Sequence, residues 1–599
     1  MLDWNRGGYF RVSPRNPKST VRRYLPGTNV LETRHVTADG VFTVTDLMPV
    51  QESSDPENPD RVLQYHQMIR LVRCEAGHVD VVVEFEPRFD FGLTRPRVSQ
   101  ITPNLSVVVG GAEALTLQTD LPMSATSLTG TSAVWRLSSG QEAYLALTQQ
   151  LPYQLRPRMH ERRELELRVE FTTRFWKQWS EICTYRGPYR EQVLRSALVL
   201  KSLTYASTGA IVAAPTTSLP EEIGGERNWD YRYTWLRDAS LTLESMFELG
   251  YAGEAKAFWR WMQRAVSIDA ADLQVCYGVG GERLLPEFEV LGVDGYMSSK
   301  PVRVGNAAAG QFQLDTYGEI LSAAWLCSRH GVEFDTDFWS YLVRVAEHVE
   351  LIWTEPDEGI WEVRGGRRHF VHSKVMAWVA IDRAIRLGRR LNAPADALQR
   401  WSRLRAQLRH RIQTAGVDPL SGSFVQSFDS TEVDASSLVF PLVGFIRAED
   451  PRMVATIKRI EQELCTNGLV FRYRNIVDPL VGGENSFTMC SFWLVDALYL
   501  SGEVERAREL FDRLVGYAND VGLLAEQLDP VTGAQMGNFP QAFSHVGLIN
   551  SALLLSRGAS DHGDRKKGRR LKSASGKAGS SVKTGPARLL TVPVTGPSV

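Results

Sequence analysis

A chain of 599 residues, 43% hydrophobic and 23% charged, is long enough for two to four domains with sizeable cores. A net charge of -1 excludes a global field that would recruit nucleic acid or an anionic membrane. The sequence has no apolar run of about 18 residues and no basic-then-apolar leader in MLDWNRGGYFRVSPRN, and its six scattered cysteines form no CxxC pair. Transmembrane, metal-framework and disulfide-framework classes therefore fall away, and a cytoplasmic protein in a reducing compartment is expected.

The first part of the chain alternates with a period of two. Val79, Val81, Val83 and Phe85 interleave with Asp80, Val82 and Glu84. The runs LSVVVGG, ALTLQTD, AVWRLSS, AYLALTQQ and ELELRVEF follow, with turn residues such as Gly110-Gly111 and Ser139-Gly140 between strands. This predicts an antiparallel β-sandwich over 1–172. The period changes near Phe175, so a linker helix is expected over 173–187. Helices are then predicted at 188–207, 235–250, 253–268, 314–330, 336–353, 373–390, 396–414, 432–446, 451–465, 487–501, 503–517 and 541–556. That is six helical hairpins within a catalytic domain at 188–557.

The links alternate in kind. Those leaving the second helix of each predicted pair, such as Gly250-Tyr251-Ala252 and Ser501-Gly502, are short. The others are mostly long and carry Trp, Glu, Asp, Arg and Gly. In a ring of hairpins the long links emerge at one end, which gathers the chemistry there. The tail 558–599 is poor in apolar residues and rich in Lys, Arg, Ser and Gly, so a disordered basic tail is expected.

The long links supply the candidates. In LPEEIGGERNWDYRYTWLRDAS, Asp230, Arg237 and Asp238 suit sugar hydroxyls, and Trp229 and Trp235 suit stacking. The rival reading is a salt-bridged loop with Asp238 capping the next helix. The link with LLPEFEVLGVDGYMSSKPVRVGNAAAGQFQLDTYGE is long for a packed domain. In DEGIWEVRGG, Glu362 follows Trp361; a carboxyl drained of water by an indole favours the neutral form that a general acid needs. Its rival is an exposed turn glutamate. Arg472, Arg474 and Glu484 lie in GLVFRYRNIVDPLVGGEN, and Glu526 and Asp529 in GLLAEQLDPVTG. Two carboxylates on opposite walls of one pocket suit glycosidic hydrolysis. HExxH, Walker, GxGxxG and GxSxG patterns are all missing from the sequence. DPLSGS and DPVTG are read as plain turns rather than cation loops.

Several stretches resemble glycoside hydrolase family 15, the glucoamylase and bacterial or archaeal trehalase family. They are EEIGGERNWDYRYTWLRDA, PVRVGNAAAGQFQLDTYGEIL, GIWEVRG, HSKVMAWVAIDRA, GGENSFTMCSFWLVDAL and LLAEQLDP with GNFPQAFSHVGLINSA. They span roughly 190 to 556. The resemblance implies a mainly α fold, an (α/α)6 barrel preceded by that family's trehalase-type sandwich, which here begins inside its first strands. It implies Glu362 as general acid and Glu526 as general base. It puts Arg237 and Asp238 on the nonreducing-end glucose, with Trp235, Trp361 and Arg472 lining the pocket and Glu484, Lys374 and Trp378 as further members. The expected activity is an inverting, exo-acting α-glucosidase on a small α-glucoside, trehalose favoured. The alternatives are a glucoamylase or isomaltase on malto- or isomalto-oligosaccharides, and a non-catalytic sugar-binding protein. No cofactor or metal is implied. The expected partner is a small carbohydrate, with no nucleic acid or membrane, and homo-oligomerisation is left open.

Overall fold

A computed structural model describes residues 2–52, 62–125, 127, 129–266, 269–474 and 483–557. The predicted tail at 558–599 lies outside them.

The N-terminal part is built around one strand, Gln67–Glu86, whose two halves pair into two antiparallel sheets. Its first half pairs with Gly40–Leu47 and Glu142–Gln150, and its second half with Tyr9–Pro14 and Thr131–Ser138. Between the halves, Glu75 is an extra residue between the pairs Val41–Ala76 and Phe42–Cys74. Gly77 follows at φ 69°, where a Cβ would sit 2.0 Å from the Asp39 carbonyl oxygen. The bulge shifts the inward phase from Val72 and Cys74 to Val79, Val81 and Val83. These residues meet Phe42, Val44, Trp135, Leu137, Ala143 and Leu145 in one buried cluster drawn from both sheets. Each fully buried side chain of this size stabilises by roughly 1.5–3 kcal/mol.

The stretch ELELRVEF, expected as a strand, is helical. Arg162–Glu181 is one α-helix, and it begins well before the predicted linker at 173–187. Leu165, Thr172, Trp176 and Trp179 form its buried side, spaced by threes, fours and sevens. Thr172 bonds Val50 N–H at 3.1 Å, and Trp179 stacks on Tyr251 at 4.0 Å, so this helix joins sheet to helices.

The helices that follow are Arg190–Leu203, Ala239–Glu248, Ala252–Val266, Asp315–Arg329, Thr336–Ile352, Val371–Arg390, Ala395–Ala415, Pro451–Glu463, Thr488–Leu500, Val504–Val515 and 542–557. The predicted helix at 432–446 is instead a short 3-10 turn, Ala435–Val439. Pro441 ends it, because proline supplies no N–H and clashes with the preceding turn.

One set of neighbours runs in sequence order. Ala239–Glu248 packs on Asp315–Arg329, that helix on Val371–Arg390, that helix on Ala435–Val439, and the 3-10 turn on Thr488–Leu500. Ser551 Oγ of 542–557 then bonds Phe492 O at 3.3 Å, and Asn550 accepts from Ser245 Oγ at 2.7 Å, which returns to the first helix.

The sheet part also holds the helical part through direct contacts. Arg195 lies over Tyr24 at 4.1 Å and bonds Asn29 Oδ1 at 2.6 Å. Leu2 and Phe91 pack against Val290, Val293 and Val302 of the long link between Val266 and Asp315. No helix of the described residues is long and apolar enough to cross a membrane.

Candidate active site

The long links converge on a cavity lined by Trp229, Tyr231, Trp361, Glu362, Arg472 and Glu526 among others. Glu362 is presented by a tight turn. Its N–H bonds Gly359 O at 3.1 Å, and its φ of 58° is left-handed, a conformation that disfavours a side chain and is held here by the surrounding contacts. Glu362 Oε1 accepts from Trp235 Nε1 at 2.7 Å and from Arg237 Nη1 at 3.0 Å. Arg237 is itself fixed by Ile360 O at 2.7 Å and Asp238 Oδ1 at 3.2 Å.

Sequence expected the neighbouring Trp361 to dry this carboxyl. The indole that touches it is Trp235. Trp361 turns its N–H to both oxygens of Asp434, each at 3.0 Å, and packs its ring on Phe487 and Trp493. Asp238 likewise makes no capping bond to Ala239–Glu248; its carboxylate faces Arg237, and burial raises its pKa against that cation's pull. Beneath Arg237 lie Asp315 and Glu319. Burial pushes their carboxyls to about 7 and about 8, so they are not two full charges at neutral pH.

Glu526 precedes the short strand Gln527–Leu528, which pairs with Ser486–Phe487 on one side and Gln535–Met536 on the other. Its Oε1 accepts from the Tyr231 hydroxyl at 2.6 Å, and its buried Oε2 has no protein partner. A Cβ on Gly537 would meet Oε2 at 2.7 Å, so glycine is the side chain that leaves this oxygen room. Burial, then the Glu221 charge, raise the Glu526 pKa; Arg472 and the Tyr231 hydroxyl pull it down.

Arg472 is buried between two acids. It donates to Glu221 Oε2 at 2.8 Å and to Glu484, while Trp229 Nε1 donates to Glu221 Oε1 at 3.1 Å. The two guanidinium groups of Arg303 and Arg364 lie over the Trp229 ring at 4.7 and 4.3 Å. The cations stacked on this indole thus belong to the protein itself, where a sugar was expected.

Three expected members are elsewhere. Asp230 is buried and forks to Arg232 at 2.8 and 2.7 Å while accepting from Gly305 N–H at 3.1 Å, so it ties two links together. Lys374 is buried with its ammonium on the carbonyls of Trp353 and Glu355, capping the C-terminal end of Thr336–Ile352. Trp378 packs edge-on to Phe445 beneath Arg409, 4.7 Å from its ring. Sequence reading passed over Glu221, Tyr231 and Arg364. All three lie in the long links, but only Tyr231 adjoins a residue singled out there, Asp230. Among the described residues no cluster of three or more His, Cys, Asp or Glu is placed to hold a metal ion. Asp418 and Asp529 spend their oxygens on the N–H and hydroxyl groups of their own turns.

Residues 187–553 match Glycosyl hydrolases family 15, and residues 1–122 match the family described as trehalase-like, N-terminal. A trehalase of Mycolicibacterium smegmatis is 37% identical over 92% of this chain and 85% of its own length. That of Mycobacterium tuberculosis is also 37% identical, over 92% and 83%. The trehalase of Thermoplasma acidophilum is 34% identical over 92% and 93%. With that match running through every link that lines the cavity, the chain belongs to glycoside hydrolase family 15.

Proposed function

We propose that this glycoside hydrolase cleaves trehalose by inversion, inside helices arranged as an (α/α)6 barrel. The cyclic order of helix neighbours supports the barrel. The observation that carries the chemistry is the pair of glutamates on one cavity with different surroundings. Glu362 has one oxygen engaged by two N–H donors, which leaves the acidic proton to Oε2. Glu526 has an oxygen with no protein partner, free to accept from a water.

In the proposed step Glu362 passes its proton to the glycosidic oxygen as the bond from C1 to that oxygen breaks. Glu526 removes a proton from water as the water oxygen bonds C1 from the opposite face. The products are one β-glucose and the leaving glucose, and the proton gained by Glu526 returns to Glu362 through solvent. Arg237, with Trp235, holds the acid's carboxyl; Arg237 and Asp238 face the glucose at subsite −1. The substrate assignment is supported by the trehalase relatives that match 92% of the chain. A cytoplasmic site is supported by six free thiols, five of them buried.

Two measurements test this. Early-time NMR of trehalose hydrolysis is expected to show β-glucose and α-glucose in equal amounts before mutarotation; α-glucose alone overturns inversion. Across trehalose, maltose, isomaltose, maltotetraose and soluble starch, kcat/KM is expected to be highest for trehalose. A higher value for maltotetraose or starch makes the protein a glucoamylase.

The surroundings of Glu526 also set a pH dependence. The base works as a carboxylate, so kcat/KM falls as pH falls through its raised pKa. The acid limb should therefore lie above the ordinary carboxylate range. Glu221→Gln removes one raising cause, so the limb should move to lower pH in that variant. A limb that stays put or moves up separates Glu221 from the base.

A further inference from the structure

A second cluster borders the cavity and takes no part in these proton transfers. Arg364 stands two residues after Glu362 and lines the cavity, with about a third of its side chain exposed. Its Nη1 and Nη2 fork onto the two oxygens of Glu287 at 3.0 and 2.8 Å. A bidentate pair of this kind fixes the plane of the guanidinium as well as its position. That plane lies over the Trp229 ring at 4.3 Å. Two of the five N–H groups go to Glu287, so others remain for a ligand in the cavity.

Glu287 is held in turn. It is largely buried, accepts from Ala307 N–H at 3.1 Å and lies 3.7 Å from Arg303. It is carried by the long link whose Val290, Val293 and Val302 pack on Leu2 and Phe91 of the N-terminal sheets. A rigid cationic fork on a ring, anchored from outside the cavity, is the arrangement that reads hydroxyl groups rather than one that moves protons.

We propose that Arg364 donates hydrogen bonds to hydroxyls of the leaving glucose at subsite +1, with Glu287 as its positioning residue. The assignment rests on the α-glucosidase reading above and extends it to the second sugar. It makes the pair a determinant of disaccharide preference. A leaving group that lacks hydroxyls in this place makes no bond to Arg364 and so gains nothing from it.

The test uses the full chain and three probes: trehalose, an aryl α-glucoside whose leaving group has no sugar hydroxyls, and deoxynojirimycin, which fills subsite −1 alone. Arg364→Ala is expected to lower kcat/KM for trehalose at least about tenfold. The aryl glucoside should change by less than about threefold, and the inhibition constant of deoxynojirimycin should hold within about twofold. Glu287→Gln keeps an acceptor for the fork and should give a smaller loss in the same direction. Arg364→Gln serves if the alanine variant does not fold. An unchanged trehalose value overturns the proposal. So does a parallel loss for all three probes, which means that the wall of subsite −1 has collapsed. A wild-type enzyme that hydrolyses neither glucoside instead overturns the underlying reading, and the assignment of Arg364 with it.

Discussion

Glu526→Gln is expected to cut turnover of trehalose by at least about a hundredfold while leaving the fold intact, the usual worth of a positioned acid or base. Glu362→Gln should do the same. An aryl α-glucoside separates the two, because its leaving group needs little protonation: it should partly rescue Glu362→Gln and leave Glu526→Gln inactive. Near-normal turnover of trehalose by a folded Glu362→Gln enzyme removes that residue from the acid role. Stability gives an independent reading of Glu526. Its folded pKa is raised by burial and by Glu221, so the fold favours the protonated carboxyl. The stability tied to that proton is present at acid pH and is lost as pH rises from the ordinary carboxylate range through the folded pKa. Glutamine has no such proton to lose and can still accept from Tyr231. The melting temperature of Glu526→Gln should therefore hold up better than that of the wild type above neutral pH. Identical melting curves at acid and alkaline pH count against a raised Glu526.

Arg472→Met is expected to destabilise the protein by about 3–5 kcal/mol at neutral to alkaline pH, the usual result of stranding one side of a buried ion pair. Arg472 bonds Glu221 and Glu484, all three side chains nearly or fully buried, with Glu526 close by. Without the cation, acids remain in a dry site and answer by taking up protons. Burial already raises Glu484, and Arg472 is the main opposing influence. The raised acids keep their protons at low pH, so the loss should shrink as pH falls toward 5 and grow toward 8. Thermal melts at the two pH values check this, and adding Glu484→Gln should recover part of the loss. A small, pH-independent shift means the pair is solvated in solution.

What could be read from sequence depended on how many turns of the chain a pattern had to cover. Val79, Val81, Val83 and Phe85 lie on one strand with one buried face, so a period of two identified them directly. ELELRVEF also alternates over eight residues, and only the continuation to Trp176 and Trp179 reveals a helical face. The stretch at 432–446 has helical apolar spacing, but Pro441 overrules it. Within the site, long ordered motifs pointed to six residues: Glu362, Glu526 and Arg472 line the cavity, Trp235 and Arg237 bond Glu362, and Glu484 bonds Arg472. Side-chain direction was invisible. Asp230 sits between Trp229 and Tyr231, both lining the cavity, yet it turns away to Arg232. Lys374 and Trp378 share a helix whose buried residues face several neighbours, so membership of a motif does not tell which neighbour each meets. Glu221, Tyr231, Arg364 and Glu287 act through partners far away in sequence, and a single chain read in order has no signal for such pairs.

The contact between Ser245 and Asn550 has a consequence for how the protein is made. The helices it joins are separated by roughly 300 residues, and a ribosome adding about 5–20 residues per second needs on the order of 15–60 s to cross that distance. Throughout that interval Ala239–Glu248 can pack on Ala252–Val266 and Asp315–Arg329, while the side that meets 542–557 lacks its neighbour. The sheets are already synthesised by then and can cover the side of Arg190–Leu203 that meets Tyr24 and Asn29. Glu526 emerges just ahead of the helix 542–557, so the glutamate proposed as base and the helix that meets Ala239–Glu248 reach the nascent chain almost together.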